Sequence, residues 1–196
     1  MAKPPGPTVL KLLGRQKYAT LSAIPQINEK DGNKMKSHNE EKFALENAAV
    51  DIFLNLFNIN HKDQYELVER RESPDFVLKS LEGELLGLEV AHLFYDPEEA
   101  KMLLGRSDNK MHGIEKFNDL MNALNNLLKQ KETKILKYES TYPTSLVIRN
   151  ASPIFGMSDL LRDKELIYKP SIFRNVWFVS KDGNYNDWLM KDILMV

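Results

Sequence analysis

Two acidic residues, Asp75 and Glu89, have a spacing that could bring their carboxylates together for chemistry. They flank Leu81-Glu82-Gly83, and a three-residue hairpin loop favours glycine at its last, left-handed position. If Ser80 pairs with Glu84, the register places Asp75 directly opposite Glu89. Residues opposite each other in an antiparallel pair share a face, with Cβ atoms about 5 Å apart. Carboxylates that close repel unless a cation lies between them or one of them holds a proton.

The segments beside this turn predict the two strands of a β-hairpin, over residues 75–79 and 84–94. In the second strand Glu89 is the only charge on its face, and Gly87 and Ala91 keep that face thin enough for a ligand or helix to approach. His92 should point to the opposite face. Two alternatives remain open: Glu89 could face solvent, and Asp75 could be a turn residue that follows a proline.

Hydrophobic periodicity predicts the helices that support this hairpin. The first helix should begin near residues 37–39, where Ser37-His38-Asn39-Glu40 has capping-box spacing, and end near residues 58–60. A long helix with an apolar stripe is expected over about residues 114–138, and a short one over 158–167.

The same patterns predict the remaining strands and loops. Strands are expected over residues 64–71, 143–149 and 172–180, a helical turn near Pro97, a loop over 105–113, and no clear assignment for 186–196. A hairpin-rich start followed by helix–strand crossovers predicts an α/β (α+β) fold with a mixed central β-sheet flanked by helices.

Composition is typical of one globular domain, which we place at residues 41–196, preceded by an irregular N-terminal extension over residues 1–40. The 196 residues are 42% apolar, enough for a core, and contain no cysteine, which excludes disulfides and cysteine-bound zinc. The first residues lack the apolar core of a signal peptide, and no run approaches the ~18 apolar residues that span a bilayer. We therefore expect a soluble, cytoplasmic protein without a membrane partner.

The net charge of −1 hides a segregation of charge along the chain. Residues 1–42 carry +4, residues 43–100 carry −9, residues 101–138 carry +4, and the remainder is neutral. An acidic middle between basic segments suits a metal site beside a surface that binds a polyanion. Solvated helix faces and a flexible tail would give the same pattern.

The order of the elements and the residues on them resemble the PD-(D/E)XK nuclease superfamily, which has the restriction-endonuclease-like fold with an αβββαβ core. The matching residues are Pro74-Asp75 at the start of the second strand, Glu89-Val90-Ala91 within the third, and the turn at Gly83. The resemblance covers roughly residues 41–150.

This resemblance implies a site for Mg²⁺ (or Mn²⁺). Asp75 and Glu89 would be metal ligands, Val90 would contribute its backbone carbonyl, and Glu46 would be the acid from the first helix. Glu41 and Asp51 compete with Glu46 for that last role. Magnesium prefers oxygen ligands and is commonly held by one or two carboxylates together with substrate phosphate.

The chain departs from the superfamily pattern at Ala91, where a lysine is expected. Some members supply that basic group from the neighbouring helix, and here the candidates are Lys129, Lys131 and Lys134. The expected catalytic set is therefore Asp75 and Glu89 with Lys131 and Lys134. The other possibility is that catalysis has been lost.

The expected function is Mg²⁺-dependent hydrolysis of phosphodiester bonds in nucleic acid, with DNA as the expected polymer. Basic residues on and before the long helix could contact its backbone without reading sequence: Lys101, Arg106, Lys110, Lys116 and Lys129.

A homodimer is expected if two strands are cut. The alternatives are a catalytically inactive nuclease-like domain that binds nucleic acid or a protein, and an α/β scaffold whose acidic hairpin merely faces solvent. No Gly-rich phosphate loop, nucleophile elbow or Rossmann fingerprint is present in the sequence.

Overall fold

A computed structural model describes residues 38–94, 116–138, 142–183 and 185–196. The N-terminal extension up to residue 37, the helical turn near Pro97 and the loop over residues 105–113 lie outside the described residues. None of the helices within the described ranges is both long and apolar enough to cross a membrane.

The described residues form three α-helices, a 3₁₀ turn and six strands. The helices are α1 (His38–Asn60), α2 (Phe117–Ile135), α3 (Met157–Arg162) and a 3₁₀ turn at Lys164–Leu166. The strands are β1 (Tyr65–Arg70), β2 (Phe76–Ser80), β3 (Leu85–Leu93), β4 (Thr144–Asn150), β5 (Val176–Asp182) and β6 (Tyr185–Asp192).

The strands form one mixed sheet in the order β1-β2-β3-β4-β5-β6. Pairing is antiparallel from β1 to β3 and between β5 and β6, and parallel from β3 through β4 to β5. The prediction of a mixed central sheet flanked by helices is confirmed.

The β2–β3 hairpin has the register that the turn sequence predicts. Phe76 pairs with Leu88 and Lys79 with Leu85, and the Ser80 N–H donates to the Glu84 carbonyl at 2.8 Å. Gly83 has φ 92°, the left-handed conformation that its position in the turn requires. Continuing this register by one residue places Asp75 opposite Glu89.

The sheet has an apolar core on each face, because side chains alternate along every strand. On one face α1 packs through Phe53 against Leu88, Val90 and Trp177. On the other face α2 packs through its apolar stripe against the alternate residues of β3, β4 and β5, among them Ala91. Each fully buried Leu or Phe contributes about 1.5–3 kcal/mol, so α2 is held firmly over Glu89's side of the sheet.

Two parts of the C-terminal region differ from the sequence-based expectation. The ambiguous segment 186–196 belongs up to Asp192 to the edge strand β6, which pairs with β5 through Phe178 opposite Lys191. The single short helix expected over residues 158–167 is broken at Asp163, whose φ −114° and ψ 33° are not helical. The strand depends on pairing with β5, which hydrophobic periodicity does not report.

Candidate active site

The two acids that the hairpin brings together are buried side by side. Asp75 lies just before β2 and is 7% exposed, whereas Glu89 lies within β3 and is 1% exposed. Burial, followed by the neighbouring charge of Glu89, raises the pKa of Asp75. The interpretation of this hairpin as a solvent-facing acidic surface is therefore wrong for both side chains.

Val90 presents an open backbone edge between these acids. The pairing of β2 with β3 ends at Phe76 opposite Leu88, and Pro74 lies beside Gly87, where an added Cβ would be 2.8 Å from Pro74 Cγ. Since β2 begins only at Phe76, the N–H and C=O of Val90 have no partner strand on that side. The Val90 N–H donates instead to Asp75 Oδ2 at 2.8 Å, which fixes the carboxylate against β3.

Two lysines of α2 contact the buried acid of β3. Lys131 Nζ donates to Glu89 Oε1 at 2.8 Å and to the Val90 carbonyl at 2.9 Å. Lys134 Nζ donates to the same Oε1 at 2.9 Å, and the Tyr138 hydroxyl donates to Oε2 at 3.1 Å. The Lys131 side chain is 16% exposed and that of Lys134 is 50% exposed, so Lys131 is the more enclosed of the two.

Helical spacing explains which lysines reach the site. Positions three or four apart lie on one face of a helix, and Lys131, Lys134 and Tyr138 follow that spacing around the end of α2. Lys129 is two residues from Lys131 and lies instead over the Tyr168 ring, 5.4 Å from its centroid. Of the three candidates for the missing lysine, two are brought to Glu89 and Lys129 is not.

The charged groups of the site shift one another's pKa values in opposite directions. Burial works to raise the pKa of Glu89, but Lys131 and Lys134 outweigh it and hold that pKa below its usual value. Burial works to lower the pKa of Lys134, and the bonds with Tyr138 and Glu89 together raise it. The site thus contains one stabilised carboxylate, Glu89, beside a destabilised one, Asp75.

Glu46 on α1 is buried and already has cationic partners. Its side chain accepts a hydrogen bond from Arg70 Nη2 at 2.6 Å and lies 3.5 Å from Lys42 Nζ. Its charge contributes weakly to the raised pKa of Asp75, so the two carboxylates are electrostatically coupled. Of the competing acids, Asp51 is exposed, and the Glu41 side chain lies outside the description.

Of the residues expected to bind a nucleic-acid backbone, the two that the structure describes, Lys116 and Lys129, lie away from the two acids. Lys116 precedes the first residue of α2, and Lys134 lies in its last turn, so the helix separates them by about 27 Å. Lys101, Arg106 and Lys110 lie outside the described residues.

Two residues of the site were missed from sequence. Tyr138 could have been found, because it continues the helical spacing of Lys131 and Lys134. Arg70 could not, because its contact with Glu46 joins β1 to α1 and has no local signature.

The donor atoms suit a hard divalent cation, although no group of three or more acidic, histidine or cysteine side chains suited to a metal exists in the described ranges. Two carboxylates and a backbone carbonyl are oxygen ligands of the kind Mg²⁺ uses with substrate phosphate. The Lys131 ammonium already bonds to two of these atoms, Glu89 Oε1 and the Val90 carbonyl. The ammonium and a divalent cation would therefore compete for them.

No protein-family model, curated protein or solved structure matches this chain.

Proposed function

We propose that the chain is a Mg²⁺- or Mn²⁺-dependent nuclease of the PD-(D/E)XK type that hydrolyses phosphodiester bonds in DNA. One observation carries the proposal. A single ammonium, that of Lys131, bonds to Glu89 and to the Val90 carbonyl, beside a second buried carboxylate. This constellation supplies acids, carbonyl and lysine together although position 91 is alanine.

Each residue has a distinct part in the proposed reaction. A bound divalent cation would activate a water and stabilise the leaving oxygen. Asp75 and Glu89 would hold that cation, and the Val90 N–H keeps the Asp75 carboxylate in place. Lys131 would position the attacking water or neutralise charge on the phosphate, because its ammonium reaches the acids from α2.

A second function is favoured by the burial of Glu89. Both of its oxygens already accept hydrogen bonds from the chain's own Lys131, Lys134 and Tyr138, and only 1% of the residue is exposed. A site satisfied in this way also suits a catalytically inactive nuclease-like domain that binds nucleic acid or a protein partner, with lysine in place of metal.

Cleavage of plasmid and linear DNA distinguishes the two functions. The nuclease predicts cleavage that needs Mg²⁺ or Mn²⁺, stops with chelator and is lost in Asp75→Asn and Glu89→Gln. Salt-sensitive DNA binding without cleavage under either ion would favour the inactive domain. Unchanged cleavage in both variants would place the chemistry elsewhere in the chain.

A further inference from the structure

A cavity of about 370 Å³ lies at the carboxyl ends of β3, β4 and β5. It is on the α1 face of the sheet, whereas Glu89 faces α2. Among its lining residues are Leu45, His92, Arg149, Ser152, Lys181 and Trp188. The carboxyl ends of parallel strands are where open α/β sheets commonly bind ligands, and the volume lies in the range of small-molecule sites.

Arg149 brings a charge into this cavity, and no aspartate or glutamate among the described lining residues compensates it. Its Nε atom is buried and has no hydrogen-bond partner among the residues that the structure describes. Burial alone lowers the pKa of Arg149, and no described carboxylate acts against it. An uncompensated, partly buried guanidinium costs folding free energy, so its presence points to a ligand that supplies the missing negative charge.

His92 adds a second unsatisfied group beside Arg149. The two residues are directly paired across β3 and β4, so their side chains share one face of the sheet. The His92 Nε2 atom is also buried, and no described residue forms a hydrogen bond with it. These two adjacent nitrogens, each without a hydrogen-bond partner in the described part of the chain, lie at the floor of a polar site.

Trp188 holds the cations of the cavity close together. Its ring lies 5.3 Å from Arg149 Cζ and 5.4 Å from Lys181 Nζ. Such cation–π contacts keep both charges at one wall of the cavity. The lining residues that the structure describes include no aspartate or glutamate.

We propose that this cavity binds a phosphate group through Arg149, Lys181 and His92, independently of the Asp75–Glu89 site. The planar guanidinium fork matches the oxygens of phosphate, and the lysine adds a point charge. The phosphate can come from a free phosphate or nucleotide, or from the end of a nucleic-acid strand.

Intrinsic fluorescence provides the test, because Trp188 is one of only two tryptophans. The full chain is titrated with inorganic phosphate, a nucleoside 5′-monophosphate, and a short single-stranded oligonucleotide with or without a 5′-phosphate. We expect a saturable change in tryptophan fluorescence that disappears in Trp188→Phe. Absence of any saturable change with all four probes would overturn the proposal.

Variants assign the binding to this cavity. Arg149→Gln and Lys181→Gln should each weaken phosphate binding by about tenfold or more, since each removes a charge-assisted contact. Lys181 is exposed, so its variant folds even if Arg149→Gln does not. Lys191→Gln is the matched control, because Lys191 shares β6 with Trp188 but does not line this cavity. Equal affinity in the wild type and Lys181→Gln would contradict the proposal.

The probes also identify the source of the phosphate. Tighter binding of the 5′-phosphorylated oligonucleotide than of its 5′-hydroxyl counterpart supports a strand end as the ligand. Equal binding of the two oligonucleotides, with saturable binding of phosphate or the monophosphate, supports a free small molecule. Binding that is unchanged in Glu89→Gln separates this cavity from the proposed nuclease site.

Discussion

Val90 organises the candidate active site, although its side chain carries no chemistry. Its N–H and carbonyl lie beyond Phe76, the last residue of β2 that pairs with β3, and they bond to Asp75 and Lys131 instead. The early end of this pairing therefore leaves the Val90 carbonyl free of a ladder partner on that side.

Replacing Lys131 tests whether α2 supplies the missing lysine. Lys131→Met should lower metal-dependent cleavage by about 10²–10⁴-fold, the range for a positioned proton-transfer or electrostatic group. Lys129→Met is the matched control, since that residue is on the same helix but contacts Tyr168. Cleavage rates measured under saturating Mg²⁺ should separate the two variants, and equal rates would assign Lys131 a structural role only.

Asp75→Asn should raise stability while it removes activity. The pKa of Asp75 is raised in the folded protein, so a protonated Asp75 contributes to stability. This contribution is fully present below the usual pKa of 3.8 and is lost as the pH rises through the folded-state pKa. Asparagine keeps an acceptor for the Val90 N–H without the charge. At pH 7 we expect a Tm higher by about 2–4 °C in thermal unfolding. A lower Tm than the wild type would show that ionised Asp75 is stabilising.

At the scale of elements, the ion pairs between α2 and β3 join a helix to the sheet above an apolar core. Glu89 has a depressed folded pKa, so its contribution to stability is present above the usual value of 4.5 and disappears as pH falls through the lower folded value. Glu89→Gln should cost about 2–3 kcal/mol at pH 7, because it leaves Lys131 without its buried counter-charge. Urea unfolding between pH 3 and 8 should show the difference from wild type shrinking at the acid end. A difference that is constant with pH would exclude this electrostatic origin.

The position of Pro74 against β3 depends on Gly87. A Cβ at this position would lie 2.7 Å from Thr144 Oγ1 and 2.8 Å from Pro74 Cγ. Gly87→Ala should displace Pro74 and the adjoining Asp75, cost about 1–3 kcal/mol and reduce cleavage. The measurements are urea unfolding and initial cleavage rates.

Gly183→Ala is the control for that change. Its φ of 54° makes alanine unfavourable by about 1–2 kcal/mol, but no atom lies within 4 Å of the added Cβ. The control should therefore lose stability and keep activity. If both variants lose activity in proportion to stability, the spacing at Gly87 has no specific part in the site.

At the scale of the whole molecule, local sequence signals predicted the hairpin and the helix that faces it. Gly83 fixed the turn and so the register, and the stripe on α2 fixed which side of that helix faces the sheet. Once both are known, Lys131 and Lys134 fall near Glu89. Each of these signals depends on neighbouring residues or on a regular repeat, so it can be recognised in a single sequence.

The cavity beside Arg149 and the strand β6 could not be predicted in the same way. His92, Arg149 and Lys181 come from three parallel strands, and only the sheet order places them together. The sequence between Asn186 and Val196 gives no clear pattern, and its part up to Asp192 forms a strand by pairing with β5. Non-local strand pairing is the information that periodicity lacks.

The central claim is that Asp75 and Glu89 together hold a divalent cation, and a measurement of cation binding tests it most directly. Isothermal titration of the full chain with Mn²⁺ should show a saturable site that is lost in both Asp75→Asn and Glu89→Gln and retained in Lys129→Met. The Lys131→Met variant should bind the ion more tightly, because its ammonium no longer competes for Glu89 and the Val90 carbonyl. No saturable binding in the wild type, or binding unchanged in both acid variants, would contradict the account.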